Sequence, residues 1–376
     1  MTNERMRRVR TPWTDRRLLD LFGVEHPILQ APMAGASTPA MAIGAAKAGG
    51  LGALPCALLS VDQARAAVAE VRAAVRAPLN LNFFSHATPA PDPVRMMAWR
   101  ARLAPYYVEA GLDPAQTPPA GGRAPFDEAF CSLVEEVRPE VVSFHFGLPD
   151  AALVSRVRAT GAKIISSATT VAEARWLEAR GVDAVIAMGA EAGGHRATFL
   201  PGFGAELNHR LDMAAQVGLF ALLPQVVDAV SVPVIAAGGI ADGRGVAAAL
   251  ALGAAGVQVG TAYLFTPEAQ IPPAHRAALA EARDDNTMVT DIFTGRPARG
   301  VVNRLMLEVG PIAPEAPPFP TAGGPLIPLR RDGESRDFSN AWAGQAARLA
   351  PRALNAESLT AKLAQDALAQ LGRSSR

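Results

Sequence analysis

Short apolar runs alternate with alanine-rich helical patterns along most of this chain. Few polar residues interrupt the apolar runs, which is typical of parallel strands that are buried on both faces. Eight runs fit this description, at residues 28–33, 51–54, 79–84, 141–146, 163–166, 184–188, 234–237 and 256–259. We therefore expect an α/β fold in which eight strand–helix units close into a (β/α)₈ TIM barrel.

Helix-start signals support this assignment. Ser60 with Gln63, and Thr170 with Glu173, have the spacing of capping boxes, in which each side chain binds a free backbone amide at the start of a helix. Thr38 precedes a proline at a first-turn position. Helices are therefore predicted to begin after Thr38, Ser60 and Thr170.

Two proline-rich regions interrupt the alternation. Residues 88–125 follow the third strand and contain a short helical pattern at 95–111. Since the loops after barrel strands lie at the active face, we expect this insertion to act as a lid. Residues 311–328 form the second region, and amphipathic helices are predicted after it near 339–350 and 357–371.

These regions divide the chain into three parts. Residues 1–26 are expected to form an N-terminal arm, residues 27–310 the barrel, and residues 311–376 a C-terminal extension that packs on the barrel. Two roles for the extension stay open at this point. It would either stabilise the barrel or act as a lid.

The composition excludes several classes of protein. With 376 residues, 49% hydrophobic and 19% charged, the chain can bury one large core. A formal net charge of +1 gives no reason to expect nucleic acid or a membrane as a partner. Two cysteines fit a cytoplasmic location, and the basic first ten residues lack the apolar core of a secretory signal. The six histidines are scattered, so no metal site is expected.

The sixth predicted strand is followed by the sequence GAEAGGHR. Gly193 and Gly194 allow the backbone to pass close to a ligand, and His195 follows them directly. A side chain at this position faces the mouth of the barrel. Because the ordinary pKa of histidine is about 6.5, His195 suits proton transfer near neutral pH, with a structural histidine as the alternative.

Glycine-rich turns follow the seventh and eighth strands. Gly238 and Gly239 end the seventh strand, and Gly260 and Thr261 end the eighth. Backbone amides in these two loops are the usual phosphate-binding groups of such barrels, so we expect a phosphorylated ligand. Tight turns that need glycine are the alternative explanation.

The first and third predicted strands supply further candidate residues for a ligand site. Ala31, Pro32 and Met33 follow the first strand and would present backbone to a flat ring. Asn80 and Asn82 lie on one face of the third strand, inside the barrel, where an amide needs polar partners. We therefore predict that these residues contact a heterocycle or a substrate.

Two histidines and three arginines complete the candidates. His86 and His145 follow the third and fourth strands, where they would either line the mouth or serve packing. Arg296, Arg299 and Arg304 lie in the stretch GRPARGVVNR, which we predict to be a solvated surface turn rather than an anion site.

Taken in order, PILQAPMAG, AGGLG, LNFF, GAEAGGHR, PVIAAGGIADGRG and GVQVGTAYL resemble the motifs of nitronate monooxygenases, the 2-nitropropane dioxygenase type of enzyme. The resemblance runs from residue 27 to residue 304. It implies a TIM barrel that binds FMN and uses dioxygen to oxidise nitronates, and in some members neutral nitroalkanes, to a carbonyl compound and nitrite. Small molecules of this kind and dioxygen are then the expected partners.

The resemblance also implies roles for particular residues. His195 would take the α-proton of a neutral nitroalkane or donate a hydrogen bond to the nitro group of a nitronate. Asn82, Gly193, Gly239 and residues 258–261 would contact FMN. Together with the strand-end candidates, the predicted FMN site comprises Ala31, Pro32, Met33, Asn82, Met188, Gly193, Gly238, Gly239, Gln258, Val259, Gly260 and Thr261.

The chain departs from the family pattern at three points. Met188 stands where the family usually has a glutamine that contacts FMN, so one flavin hydrogen bond is either missing or supplied elsewhere. Ala197 stands where glycine is common, which would narrow the loop after His195. Only three tyrosines are present, so a lid built from several tyrosines is not expected.

Three other functions fit the same residues. An NAD(P)H:quinone reductase or an enoyl-acyl-carrier-protein reductase would use the same FMN barrel and take hydride from a nicotinamide. A flavin-free isomerase or lyase would use His195 as a general base on a phosphorylated substrate. A non-catalytic sensor would keep the cofactor pocket and turn nothing over.

Overall fold

Eight parallel strands form a closed barrel in the computed structural model, which describes residues 12–116, 123–201 and 213–374. The barrel strands are β1 (Ile28–Gln30), β2 (Gly52–Pro55), β3 (Leu79–Phe84), β4 (Val141–His145), β5 (Lys163–Ala168), β6 (Ala184–Met188), β8 (Val234–Ala237) and β9 (Gly256–Val259). Their order is β1-β9-β8-β6-β5-β4-β3-β2, and a parallel bridge between Leu29 and Leu51 joins the two ends. The predicted (β/α)₈ barrel is confirmed.

A second, antiparallel sheet lies beside the barrel. It contains β7 (Gly194–His195), β10 (Thr287–Thr290) and β11 (Ala298–Val301) in the order β10-β11-β7. None of these three strands is predicted by the pattern of apolar runs in the sequence.

The α-helices of the described ranges cover the barrel and its insertions. They are α1 (Arg17–Phe22), α2 (Pro39–Lys47), α3 (Val61–Ala74), α4 (Pro93–Glu109), α5 (Glu128–Val137), α6 (Ala151–Ala159), α7 (Val171–Glu178), α8 (Leu219–Ala229), α9 (Gly243–Ala251), α10 (Pro273–Ala280), α11 (Arg304–Val309) and α12 (Ala356–Ser374). None of them, within those ranges, is long and apolar enough to span a membrane.

The predicted helix starts are confirmed. Thr38 and Ser60 each accept a hydrogen bond from a backbone amide in the first turn, and Ser60 and Gln63 form a complete capping box. Thr170 accepts from the amide of Glu173, but the Glu173 carboxylate does not return the bond to Thr170. That carboxylate is used elsewhere in the fold, as described below.

The last helix of the chain occupies the eighth position around the barrel. α12 packs between α2, which follows the first barrel strand, and α9, which follows the seventh. Two glycines make this close approach possible: a Cβ on Gly44 would lie 2.9 Å from the Cβ of Ala356, and a Cβ on Gly243 would lie 2.3 Å from the Cβ of Asp366. The C-terminal extension therefore supplies the helix that completes the outer ring.

The amino-terminal end of the barrel is closed by α1. Leu18 and Phe22 are buried in one apolar cluster with Ile165 and Ile235 from the barrel interior. Residues 12–26 of the predicted arm thus pack against the barrel. Their helix α1 covers apolar side chains that would otherwise be exposed to water. Residues 1–11 of that arm lie outside the described residues.

The insertion after β3 packs on the C-terminal extension. Its predicted helical segment is α4, and Trp99 on this helix donates from Nε1 to the carbonyl oxygen of Ala322 at 3.0 Å. Leu103 is buried in the same cluster as Leu326. The insertion and the extension thus pack against each other. Residues 117–122 of the insertion lie outside the described residues.

The prediction of a helix near 339–350 is wrong. This segment contains only a short 3-10 turn, Ala347–Leu349, and it runs along the barrel mouth in an irregular conformation. Its amides bind other parts of the chain: Gly344 N donates to Thr261 Oγ1 at 2.9 Å, and Gln345 N donates to the Glu191 carbonyl oxygen at 3.0 Å. These tertiary bonds replace the hydrogen bonds of a helix.

Substitution of Gly243 tests the packing of α12. We expect Gly243→Ala to lower the free energy of unfolding by about 1–3 kcal/mol, because the added methyl group overlaps Asp366 and must displace α12. Gly372→Ala is the matched control on α12 itself, since nothing lies within 4 Å of its new Cβ. Urea denaturation should show the control unchanged or slightly more stable; equal effects of the two substitutions would contradict this packing.

Candidate active site

A cavity of about 520 Å³ opens at the carboxyl ends of the barrel strands. This volume lies in the range of small-molecule and cofactor sites. All eight barrel strands contribute to its wall, through residues at their carboxyl ends or in the loops that follow them. Residues from the C-terminal extension, among them Ile327, Arg330, Trp342 and Gly344, add to this wall. The extension therefore covers the barrel mouth, and the position fits the usual active face of this fold.

His195 and the residues of the predicted FMN site line this cavity with one exception. Those that line it are Ala31, Pro32, Met33, Asn82, Met188, Gly193, His195, Gly238, Gly239, Gln258, Gly260 and Thr261. The exception is Val259, whose side chain is buried in the core. Its carbonyl oxygen accepts from the Ala31 amide at 2.9 Å, so Val259 positions the first loop without facing the cavity.

The turn after β8 requires glycine. Gly238 and Gly239 have φ values of +105° and +69°, a region that favours glycine. A Cβ on Gly238 would also lie 3.0 Å from the amide nitrogen of Ala192. The turn is followed by α9, whose first amides are already bound by the Asp242 carboxylate. A phosphate at this place would therefore depend on turn amides rather than on the helix end.

Several buried polar atoms of the cavity wall lack a partner within the described residues. They are Oε1 of Gln258, Nε of Arg123 and Nε1 of Trp342. Buried polar groups are normally hydrogen-bonded, so this set indicates that a polar ligand fills the cavity. Asn82 is different, because its Nδ2 donates to the carbonyl oxygen and the hydroxyl of Ser143 at 3.2 and 3.0 Å.

Asn80 shares the inward face of β3 with Asn82, as predicted, but it does not line the cavity. It lies two residues earlier on the strand and is 1% exposed. Its Oδ1 atom has no partner among the described residues. Asn80 therefore belongs to the deeper layer of the barrel interior.

His195 is held by the small antiparallel sheet. In β7 it pairs with Ala298 of β11, and its Nε2 lies 3.0 Å from the Thr294 hydroxyl oxygen. The Nε2 atom of His145 lies 3.1 Å from the His195 carbonyl oxygen and donates to it. Backbone and ring are thus fixed separately, which gives the imidazole a defined orientation toward the cavity.

Aromatic rings surround the His195 imidazole. Those within 6.3 Å, measured between ring centroids, belong to Phe84, Phe146, Phe319 and Trp342. Phe319 and Trp342 come from the C-terminal extension, which the sequence analysis did not assign to the site. Their rings restrict water, so charges near His195 interact in a medium of low dielectric constant.

Burial lowers the pKa of His195 well below its usual value of 6.5. Positive charge on Arg123 lowers this pKa further, with smaller contributions from His145, Arg296 and His86. Burial likewise lowers the pKa values of His86 and His145 to about 4. His195 is therefore a neutral imidazole near pH 7, in a surrounding that favours negative charge.

Two buried charged residues hold the loop after His195. Arg196 donates to the carbonyl oxygens of Met188 and Gly189 at 2.9 and 2.6 Å. The Glu173 carboxylate accepts hydrogen bonds from the backbone amides of Phe199 and Leu200. It makes these bonds instead of the predicted capping bond to Thr170. These bonds attach the loop to the ends of β6 and α7.

The prediction of a surface turn at 296–304 is wrong for two of its three arginines. Arg299 lies in β11, is 8% exposed and donates from Nε to the Ala190 carbonyl oxygen at 2.9 Å. The Arg296 guanidinium lies 3.8 Å from the ring centroid of Phe146. Because β11 pairs with β7, this part of the chain lies against the barrel and not in a surface turn. Only Arg304 remains at the surface, in an ion pair with exposed carboxylates.

No group of three or more His, Cys, Asp and Glu side chains that could hold a metal ion occurs within the described ranges. His275 lines the outer cavity, where its Nε2 lies 3.0 Å from the Trp342 carbonyl oxygen, and it does not join the other histidines.

Comparison with known proteins agrees with this geometry. A model of the family described as nitronate monooxygenase matches residues 15–366. The nitronate monooxygenase of Pseudomonas aeruginosa is 39% identical over an alignment of 359 residues that covers 93% of this chain and 98% of that protein. The structure of nitroalkane oxidase from Streptomyces ansochromogenes has a TM-score of 0.84 and 37% identity, covering 96% of this chain and 100% of that one. A structure of FabK from Thermotoga maritima has a TM-score of 0.71 and 26% identity, covering 98% and 99%.

The match of family model and relatives extends over nearly the whole chain, and it includes the loops that build the cavity. This chain belongs to the nitronate monooxygenase family.

Proposed function

We propose that this protein is an FMN-dependent enzyme that oxidises alkyl nitronates with dioxygen to a carbonyl compound and nitrite. The observation that carries the proposal is the buried His195 imidazole in the cavity wall, with the positive charges of Arg123 and Arg296 acting on it. Such a surrounding stabilises an anionic substrate, and a nitronate is an anion. Membership of the nitronate monooxygenase family supports the same reaction.

The residues present fit FMN. The turns at Gly238–Gly239 and at Gly260–Thr261 are free of large side chains and would hold the phosphate with backbone amides. The buried, unpaired Oε1 of Gln258 would accept a hydrogen bond from the flavin ring. Bound FMN supplies the electron-accepting ring that oxidation of a nitronate and reduction of dioxygen require.

Met188 at the cavity wall changes one expected contact. Its thioether cannot donate a hydrogen bond, whereas a glutamine at this position could. Gln258 carries an amide that faces the same cavity from β9 and has an unused oxygen. We therefore assign the polar contact to Gln258, and assign packing against the ring to Met188.

His195 has two uses in this reaction. As a neutral imidazole it would accept the α-proton of a nitroalkane, while the Thr294 hydroxyl at 3.0 Å keeps the ring oriented. The nitronate that results carries a negative charge, which the guanidinium groups of Arg123 and Arg296 would stabilise. The same cations make His195 a weaker base, so preformed nitronates should react faster than neutral nitroalkanes.

The rings around His195 exclude water from the reacting atoms. Phe84 and Phe146 come from strand ends, and Phe319 and Trp342 come from the extension that crosses the mouth. Removal of water strengthens the attraction between arginine and nitronate.

Oxygen consumption tests the reaction. When an alkyl nitronate is added to the FMN-loaded protein without NADH, dioxygen should be consumed and nitrite should appear in the same vessel, because the nitronate itself supplies the electrons. Free FMN at the same concentration is the control. A yellow protein that consumes no dioxygen with nitronate, but oxidises NADH, would contradict the proposal and favour a nicotinamide-dependent reductase.

Replacement of His195 tests its role as a base. His195→Asn should keep the fold and bound FMN but lower kcat/KM for a neutral nitroalkane about a hundredfold or more. Turnover of the preformed nitronate should fall less, since no proton has to be removed. His26→Asn, at a histidine outside the cavity, is the matched control. Unchanged kcat/KM for the neutral nitroalkane would remove His195 from the catalytic role.

The pH dependence should report the lowered pKa of His195. We expect kcat/KM for a neutral nitroalkane to stay level as the pH falls through 6.5, because the buried imidazole remains neutral there. A decline with an apparent pKa near 6.5 would show that His195 titrates like an exposed histidine.

The stability of the fold limits the pH range over which kcat/KM can be measured. His86 and His145 have pKa values of about 4 in the fold and near 6.5 when unfolded, so the unfolded chain binds more protons below 6.5. Stability therefore declines as the pH falls from 6.5 toward about 4. Circular dichroism at each pH should confirm that the protein is still folded.

A further inference from the structure

Residues 342–346 of the C-terminal extension, which we call the strap, cross the mouth of the barrel. Apart from a bridge between Trp342 and Gly300, their backbone is irregular. Trp342 and Gly344 line the cavity, together with Thr261 of the predicted FMN site. The strap has no part in cofactor binding or in the reaction as proposed above.

The strap is bound to two loops that flank the expected phosphate position. Gly344 N donates to Thr261 Oγ1, which follows β9, and Gln345 N donates to the carbonyl oxygen of Glu191, which follows β6. β8 lies between β6 and β9 in the strand order. The strap therefore lies beside the turn after β8, where Gly238–Gly239 offer backbone amides to a phosphate.

Two glycines allow the strap to touch the loop that carries His195. A Cβ on Gly193 would lie 2.5 Å from the Gly344 nitrogen, and a Cβ on Gly344 would lie 2.7 Å from the Glu191 carbonyl oxygen. Contacts this short are closed to real Cβ atoms, so the two backbones meet directly only because neither glycine carries a side chain. The strap is thus closely packed against this loop.

The Thr261 hydroxyl connects the strap with the expected phosphate. Its oxygen accepts from the Gly344 amide at 2.9 Å, and within the described residues its hydrogen has no acceptor. A hydroxyl can accept one hydrogen bond and donate another at the same time. Because the Gly344 amide occupies one side of the oxygen, the hydrogen points away from the strap, where a phosphate oxygen would accept it.

The amides of the strap itself are already used. Ala343 N donates to the Arg299 carbonyl oxygen at 3.3 Å, and the next two amides bind Thr261 and Glu191. The strap therefore acts on a phosphate by holding Thr261, and not by donating to the phosphate directly.

We infer that the strap closes the phosphate end of the FMN site and positions the Thr261 hydroxyl as a phosphate donor. The phosphate and the extension then stabilise each other, since a ligand that binds only the closed arrangement shifts the chain toward it. The strap is a positioning element, and Thr261 makes the contact. This inference rests on the proposed function, because it takes FMN as the cofactor.

Competition between FMN and riboflavin tests the strap, since riboflavin has the same ring without the phosphate. The FMN-loaded full chain is equilibrated with riboflavin, and the two bound flavins are quantified after gel filtration. Wild type should prefer FMN, and Gly344→Ala should lower this preference about tenfold, because its methyl group displaces the strap. Gly372→Ala, with open space around its new Cβ, is the matched control and should keep the wild-type preference.

Two substitutions at Thr261 test the proposed contact. Thr261→Val removes the hydroxyl at similar volume and should lower the preference for FMN about tenfold. Thr261→Ser keeps a hydroxyl and should retain most of the preference. An equal loss of both flavins in Gly344→Ala and in Thr261→Val would show a general effect on the site and would overturn the inference.

Hydrogen exchange on the wild type decides the question without a substitution, in case Gly344→Ala does not fold. The amides of Gly344 and Gln345 should exchange at least about fivefold more slowly with FMN bound than with riboflavin bound, because the phosphate holds the strap closed. Amides of α7 are the internal control and should exchange equally in both forms. Equal exchange of the strap amides in the two forms would contradict the inference.

Activity separates the inference from the proposed function. If FMN binds with the effect of the strap but no nitronate is oxidised, the proposed function fails and the inference stands. If nitronates are oxidised but FMN and riboflavin protect the strap equally, the inference fails and the proposed function stands. A chain that binds neither flavin would overturn both.

Discussion

The helix that completes the barrel is the last helix of the chain, and this constraint shapes the whole site. α12 fits between α2 and α9 through the close approaches at Gly44 and Gly243, and the Tyr263 hydroxyl lies 2.6 Å from the Thr360 hydroxyl. The chain between β9 and α12 must therefore leave the barrel and return across its mouth. In doing so it pairs β11 with β7 and places Phe319, Trp342 and Arg330 over the cavity.

The crossing segment determines the electrostatics at His195. Because aromatic rings from the extension cover the imidazole, burial becomes the largest cause of its lowered pKa. The arginines that lower this pKa further would also stabilise an anionic substrate. One arrangement thus keeps the histidine neutral and favours negative charge beside it, which suits a nitronate better than a neutral nitroalkane.

Local patterns in the sequence predicted what depends on local physics. Apolar runs predicted all eight barrel strands, because burial on both faces leaves few polar positions, and capping residues predicted helix starts. The glycine turns and His195 were predicted because strand ends meet at one face of a barrel. The Val259 side chain lies in the core and not in the cavity, because successive side chains of a strand point to opposite faces.

Features that depend on distant partners were not predictable. β7 has two residues and exists only because β11, a hundred positions later, pairs with it. The same pairing buries Arg299, although the sequence around this residue predicts a surface turn. Residues 339–350 have an amphipathic pattern, but their amides bind Thr261 and Glu191 instead of forming a helix.

The central claim is that this cavity brings a nitronate into direct reaction with bound FMN. Anaerobic mixing of the FMN-loaded protein with an alkyl nitronate tests it most directly, with the visible absorbance of the flavin as the signal. We predict that the absorbance changes on mixing, without NADH or dioxygen, as the flavin accepts electrons. An unchanged spectrum, in a protein whose flavin NADH reduces, would contradict the account.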